Sequence, residues 1–201
     1  RGITSSLVVG DMPFLSYQPS TSTAVKNAGL LLKGGGVGAV KLEGGGEFVP
    51  QIKKIISAGI PVMGHIGLTP QSINVLSGYG VQGKTLLSAQ KIVDDARRLE
   101  AAGVFSIVLE CVPAQLADYI TNILSIPTIG IGSGLGCDGQ IQVFHDILGL
   151  SKNFHPKHAK KYLNLHKQIG NALKKYSDEV ASKKFPSAKH SFKYKKNIID
   201  Q

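Results

Sequence analysis

Five residues able to do chemistry stand where apolar runs end. Asp11 closes SSLVVGD, Lys41 and Glu43 sit two apart in AVKLE, His65 falls near the end of PVMGHIG, and Glu110 ends FSIVLE. Asp11 and Glu43 offer hard carboxylate oxygens. With waters and a chelating substrate these suit Mg²⁺, which takes few ligands from protein. A softer metal fits poorly, because neither cysteine belongs to a C-x-x-C pair and His65 is isolated. Lys41 can hold a substrate carboxylate, and Glu110 can serve as a general base. Plainer readings stand beside these: a salt bridge between Lys41 and Glu43, and a hydrogen-bonded structural histidine at 65.

A charge is expensive to bury inside an apolar strand, so these residues belong at strand ends. The elements that carry them alternate. Strand-like runs at 5–11, 38–44, 61–67, 105–110 and 126–132 are separated by helical stripes near 21–33, 47–58, 88–103 and 114–124, and 141–144 (IQVF) reads as a last strand. The helix after the third run is expected to stop at Gly103. A repeating strand–helix pattern predicts an α/β fold with a parallel sheet and right-handed crossovers. An open doubly wound sheet and a (β/α)₈ barrel both satisfy it, and both build sites at the C-terminal ends of their strands.

Residues 67–85, GLTPQSINVLSGYGVQGKT, form a long polar connection, expected to act as a lid over a substrate. GIGSGLGCDG lacks the G-K-[ST] ending of a phosphate loop, so no nucleotide site is expected there. Residues 157–181 carry an apolar stripe, Tyr162, Leu165, Ile169, Leu173, Tyr176 and Val180, suited to packing on the body or at a subunit interface.

Composition narrows the function classes. The chain has 201 residues and a net charge of +10. Residues 1–150 carry ten basic and ten acidic side chains, whereas 151–201 hold 13 Lys against three acids. The body is therefore not a polyanion binder by charge. The tail, which lacks Arg, reads as a solvated lysine face rather than a nucleic-acid site. No apolar run approaches the roughly 20 residues of a membrane span. Two cysteines offer no disulfide framework and fit a reducing compartment. The expected location is cytoplasmic, with a mitochondrial matrix as the alternative. Residues 1–150 are expected to form the body, and 151–201 a C-terminal helix and basic tail of the same domain.

The stretches LVVGDMPFLSY, AVKLEGG, PVMGHIGLTPQSIN, YGVQGKT, VLECVP, IPTIGIGSG, DGQIQVFHDILGL and FPSAKHSF together resemble ketopantoate hydroxymethyltransferases, over nearly all of residues 1–192. The resemblance implies a TIM (β/α)₈ barrel and an aldol-type, Mg²⁺-dependent transferase of pantothenate biosynthesis. It would move a hydroxymethyl group from 5,10-methylenetetrahydrofolate to 3-methyl-2-oxobutanoate and release 2-dehydropantoate. Carried over residue by residue, it makes Asp11 a metal and substrate contact, Lys41 a substrate contact, Glu43 a metal ligand and Glu110 the proton acceptor. His65 joins the substrate-binding set. A homo-oligomer is implied, with small-molecule substrates as partners, no membrane and no nucleic acid. The family's first two βα units, with a VGDS-type motif, are not among these residues, so a fragment or truncated form is expected. Two other functions compete: another Mg²⁺-dependent lyase or transferase of 2-keto acids, and a non-catalytic remnant.

Overall fold

A computed structural model describes residues 2–74, 78, 80–152 and 155–193. Two compact units divide the chain, Arg1–Ile141 and Gln142–Gln201.

In the first unit six strands alternate with four helices of nine or more residues: β1 (Val9–Asp11), α1 (Thr21–Gly35), β2 (Ala39–Glu43), α2 (Val49–Ser57), β3 (Val62–Gly67), α3 (Leu86–Ala102), β4 (Ser106–Glu110), α4 (Ala114–Ile123), β5 (Thr128–Ile131) and β6 (Gly139–Gln140). Local chemistry sets several boundaries. Ser20 caps α1 by accepting the Thr23 N–H at 3.1 Å. Thr85 and Ser88 cap α3 reciprocally, and that helix stops at Gly103 in the left-handed conformation, as expected.

All five strand pairs are parallel, and the strands lie in sequential order from β1 to β6. A doubly wound sheet would reverse direction at a switch point. Sequential order sends every right-handed crossover the same way, so the helices gather on one face, as in a barrel. Val40, Leu42, Val62, Ile66, Ile107 and Leu109 point to that face. They pack there with Ala24 and Ala28 of α1, Ile52 and Ile55 of α2, Ala96 and Leu99 of α3, and Ala117 and Ile120 of α4. Each large aliphatic side chain so buried contributes about 1.5–3 kcal/mol.

The alternate residues of each strand occupy the other face. The register sets Asp11 beside Lys41, Glu43 beside His65 and Gly67 beside Glu110. Lys41 and Glu43, and likewise His65 and Gly67, are two apart, so all five reactive side chains share the helix-free face.

The last strand departs from expectation. Residues 141–144 are not a strand: β6 is Gly139–Gln140, and Phe144 opens a short helix, α5 (Phe144–Leu148). The lane beside β5 is taken by Gly139 and Gln140, and the Ile141 N–H completes it by donating to the Gly130 carbonyl at 3.0 Å. The alternating apolar residues Ile141 and Val143 are about half exposed, so no second face rewards extending the strand. In the second unit the long helix, α6 (Leu165–Ala181), starts later than 157, because the Asn164 side chain accepts the Lys167 N–H at 3.4 Å and caps it there. Ile169, Leu173, Tyr176 and Val180 are exposed along it. Among the described residues no helix is long and apolar enough to cross a membrane. The lid expectation turns partly on 75–77 and 79, and the tail expectation partly on 194–201; these lie outside the described residues.

Candidate active site

The C-terminal ends of β1 to β4 bring Asp11, Lys41, Glu43, His65 and Glu110 into one connected row. The Lys41 ammonium stands 2.7 Å from Asp11 Oδ1. The same Nζ lies 3.2 Å from His65 Nδ1. The other ring nitrogen, Nε2, is 3.1 Å from Glu110 Oε2. Glu43 Oε1 approaches the ring from the side, 3.6 Å from Nδ1. Four adjacent strands thus carry an unbroken line of polar groups, acid, ammonium, imidazole, acid, with a third acid at its middle.

Burial differs along the row. The Glu43 and His65 side chains are each 4% exposed, Glu110 is 15%, Lys41 is 18% and Asp11 is 54%. Asp11 is the exposed end, Lys41 and Glu110 are partly open to solvent, and Glu43 and His65 form the floor.

The ring's tautomer follows from its neighbours. An ammonium only donates, so the Lys41 contact makes Nδ1 an acceptor and leaves the neutral ring's proton on Nε2, facing Glu110. The Nε2–Glu110 approach is close but off the line of a hydrogen bond, which leaves Nε2 without an aligned partner. Burial disfavours the charged ring, yet Glu110 and Glu43 outweigh it and raise the His65 pKa above the ordinary histidine value, with Lys41 opposing. Protonation turns Nδ1 into a donor toward Glu43. Burial alone would raise the Glu43 pKa, but His65, the Gln71 N–H and Lys41 hold it below the usual carboxylate range.

Three residues that support this row escaped sequence reasoning. The buried Tyr17 hydroxyl donates to the Glu43 carbonyl at 2.9 Å and accepts the Glu43 N–H at 3.2 Å. The Gln71 N–H donates to Glu43 Oε2 at 2.9 Å, and its side-chain amide donates to the Met12 carbonyl, also at 2.9 Å. Ser133, 1% exposed at the end of β5, accepts the Val112 N–H at 3.2 Å and donates to the Leu109 carbonyl at 2.8 Å. It clips the turn that presents Glu110. That turn needs a clip, because Cys111 adopts φ +49°, a conformation that costs a residue with a Cβ about 1 kcal/mol. Burial, and then the Glu110 charge, push the Cys111 thiol up.

Gly67 makes the close approach of β3 and β4 possible. Its φ is +94°, and a Cβ there would run into the Glu110 carbonyl. Two surface hollows of about 470 and 360 Å³ share Glu47, Lys91 and Asp95 in their walls; Lys41, His65 and Glu110 line neither. Electrostatics and alignment, rather than enclosure, distinguish the row. It can take a proton at Glu110, hold an anion at Lys41 and offer oxygen donors at Asp11 and Glu43.

The chain is similar in sequence to proteins of one family. A family profile described as ketopantoate hydroxymethyltransferase matches residues 1–188. The chain is 56% identical over 201 residues to a 3-methyl-2-oxobutanoate hydroxymethyltransferase of Carboxydothermus hydrogenoformans, covering 100% of this chain and 73% of that one. It is 55% identical to the protein of that name from Clostridium novyi, again across 100% of this chain and 73% of the relative. For the one from Acetivibrio thermocellus the identity is 54%, with 71% of the relative covered.

Proposed function

The chain belongs to the ketopantoate hydroxymethyltransferase family, and from that premise we propose that it transfers a hydroxymethyl group from 5,10-methylenetetrahydrofolate to 3-methyl-2-oxobutanoate, giving 2-dehydropantoate. The observation that carries the reading is the row Asp11–Lys41–His65–Glu110, an anion-binding ammonium and a solvent-reachable carboxylate joined through one imidazole.

Glu110 accepts the proton from C3 of the keto acid. Its place at the end of β4, 15% exposed, lets it reach a substrate above the strand ends while the imidazole holds it from below. Lys41 binds the keto acid's carboxylate and fixes which carbon faces Glu110. With its proton gone, C3 bonds to the one-carbon unit of the folate, whose own chemistry activates that carbon; both of that carbon's bonds to folate nitrogen break, one water supplies the hydroxyl oxygen, and tetrahydrofolate leaves with protons on the two freed nitrogens. His65, at 4% exposure, acts from beneath, holding Lys41 and Glu110 at a set separation.

The donor set fits magnesium. Asp11 and Glu43 supply hard oxygens, and among the described residues no cluster of three His, Cys, Asp or Glu forms a complete cage. An ion held by one or two carboxylates, with water and substrate oxygens completing its shell, is the usual magnesium arrangement. Bound by Asp11 and Glu43, the ion would polarise the keto acid's carbonyl and make the C3 proton more acidic.

The six sequential strands support an arc of a (β/α)₈ barrel as the scaffold. The test is product analysis with Mg²⁺ and 3-methyl-2-oxobutanoate, with and without methylenetetrahydrofolate. Folate-dependent formation of 2-dehydropantoate is expected. Turnover that ignores folate would point to a different 2-keto-acid enzyme, and no turnover by the folded protein would overturn the proposal.

A further inference from the structure

Gln71 stands at a junction that no catalytic role explains. It lies in the short helical turn Pro70–Ser72 after β3, far along the chain from β1 and β2. Yet three of its groups are engaged there. The backbone N–H holds Glu43 Oε2 at 2.9 Å. The side-chain amide donates to the carbonyl of Met12, the residue after Asp11, at 2.9 Å. The side-chain oxygen lies 3.4 Å from the Tyr17 hydroxyl, which itself brackets the Glu43 backbone. Met12 is fully buried and also donates its own N–H to the Lys41 carbonyl at 2.9 Å.

The geometry points to Gln71 as the positioning residue that ties the Glu43 carboxylate to the chain immediately beyond Asp11. The inference rests on the proposed function, in which those two acids face a magnesium ion. Each acid sits on its own strand, and parallel strands alone fix Cα positions, not the direction of the Glu43 carboxylate. Gln71 supplies that constraint from the turn after a third strand. Its N–H aims one oxygen of Glu43, which leaves the other toward His65. Its amide tethers the chain immediately beyond Asp11. Tyr17 closes the loop through the Glu43 peptide. Outer groups that orient metal-facing carboxylates typically change affinity by about 10–100-fold when removed.

The experiment compares the native enzyme with Gln71→Met, which keeps the length of the side chain and removes both polar groups, and with them the anchors to Met12 and Tyr17 that hold the turn carrying the Gln71 N–H against Glu43. Mg²⁺ is titrated calorimetrically at 15 °C, without substrate, and melting is recorded separately without Mg²⁺. Gln71→Met is expected to weaken Mg²⁺ binding about tenfold or more and to raise KM for the keto acid in step. Because Glu110 stands on another strand, kcat at saturating Mg²⁺ is expected to change far less. A merely structural role would lower the melting temperature and leave Mg²⁺ affinity within twofold of the parent, and that result overturns the inference while the proposed function stands. If Gln71→Met does not fold, Tyr17→Phe is scored by the same titration, and unchanged Mg²⁺ affinity in it overturns the inference equally. If the parent binds no Mg²⁺, the metal part of the proposed function falls, and this inference falls with it.

Discussion

His65 Nε2 stands 3.1 Å from Glu110 Oε2, with the ring almost wholly buried and the carboxylate at the edge of solvent. The proposed function has this histidine act through Glu110 and Lys41, the groups its two ring nitrogens face. His65→Gln, which keeps a donor of similar reach, is expected to retain measurable turnover, whereas His65→Leu is expected to lose most of it while still binding Mg²⁺. Steady-state kinetics on both variants, with calorimetric Mg²⁺ titration as the control, check this.

Glu110→Gln keeps the shape of the side chain and removes its capacity to take a proton. Turnover is expected to fall by about 10²–10⁴-fold, the usual contribution of a positioned base. Keto-acid affinity, which the proposed function assigns to Lys41, is expected to stay within a few-fold. Unchanged turnover in this variant would remove Glu110 from the role of base.

Stability is expected to depend on pH from both sides. The His65 pKa is raised on folding, so its contribution is complete below the ordinary histidine value of 6.5 and is lost as pH rises through the folded value. The Glu43 pKa is lowered, so its contribution is present above 4.5 and is lost as pH falls through the folded value. Urea unfolding without Mg²⁺, from pH 4 to 9, is expected to show a maximum between these limits. His65→Gln should flatten the alkaline limb and Glu43→Gln the acid limb.

Gly67→Ala asks a strained backbone to accept a methyl group that meets the Glu110 carbonyl. The conformational penalty alone is about 1 kcal/mol, and displacement of β4 brings the expected loss to about 2 kcal/mol or more. Because the obstacle is the peptide of Glu110 itself, turnover is expected to fall more than stability does. Chemical denaturation and kinetics on the same preparation separate the two.

Ser133→Ala leaves the Val112 N–H and the Leu109 carbonyl without their buried partner. The expected cost is about 1–3 kcal/mol. Freed of its clip, the turn at Cys111 relaxes and Glu110 loses alignment, so kcat should drop while Mg²⁺ affinity holds. That pattern is the mirror of the one expected for Gln71→Met.

The gathering of Asp11, Lys41, Glu43, His65 and Glu110 was legible before any coordinates, for a simple reason. Parallel strands all end on one edge, and residues two apart share a face, so polar groups closing successive apolar runs must meet. The choice between a doubly wound sheet and a barrel-like order was not legible, because both use the same periodicity; only strand adjacency separates them. Tyr17, Gln71 and Ser133 were invisible for a different reason. Their hydrogen bonds span 26, 28 and 21 residues and start from loops or strand ends, where no repeat marks which side chain turns inward. The run IQVF misled because its alternation is that of a strand, while the lane beside β5 was already filled by Gly139 and Gln140.

The polar row has an imbalance of its own. Three carboxylates face one ammonium, and the imidazole, whose pKa is raised, adds at most one more positive charge, so the strand ends keep a negative excess in formal charge. An incoming 2-oxo acid is itself an anion and would be repelled from such a surface. A divalent cation held there, as proposed, would offset that excess before the acid arrives and would make the two guests mutually dependent. Each should tighten the other by the same factor, as reciprocity between bound species requires, and the acid alone should hardly bind.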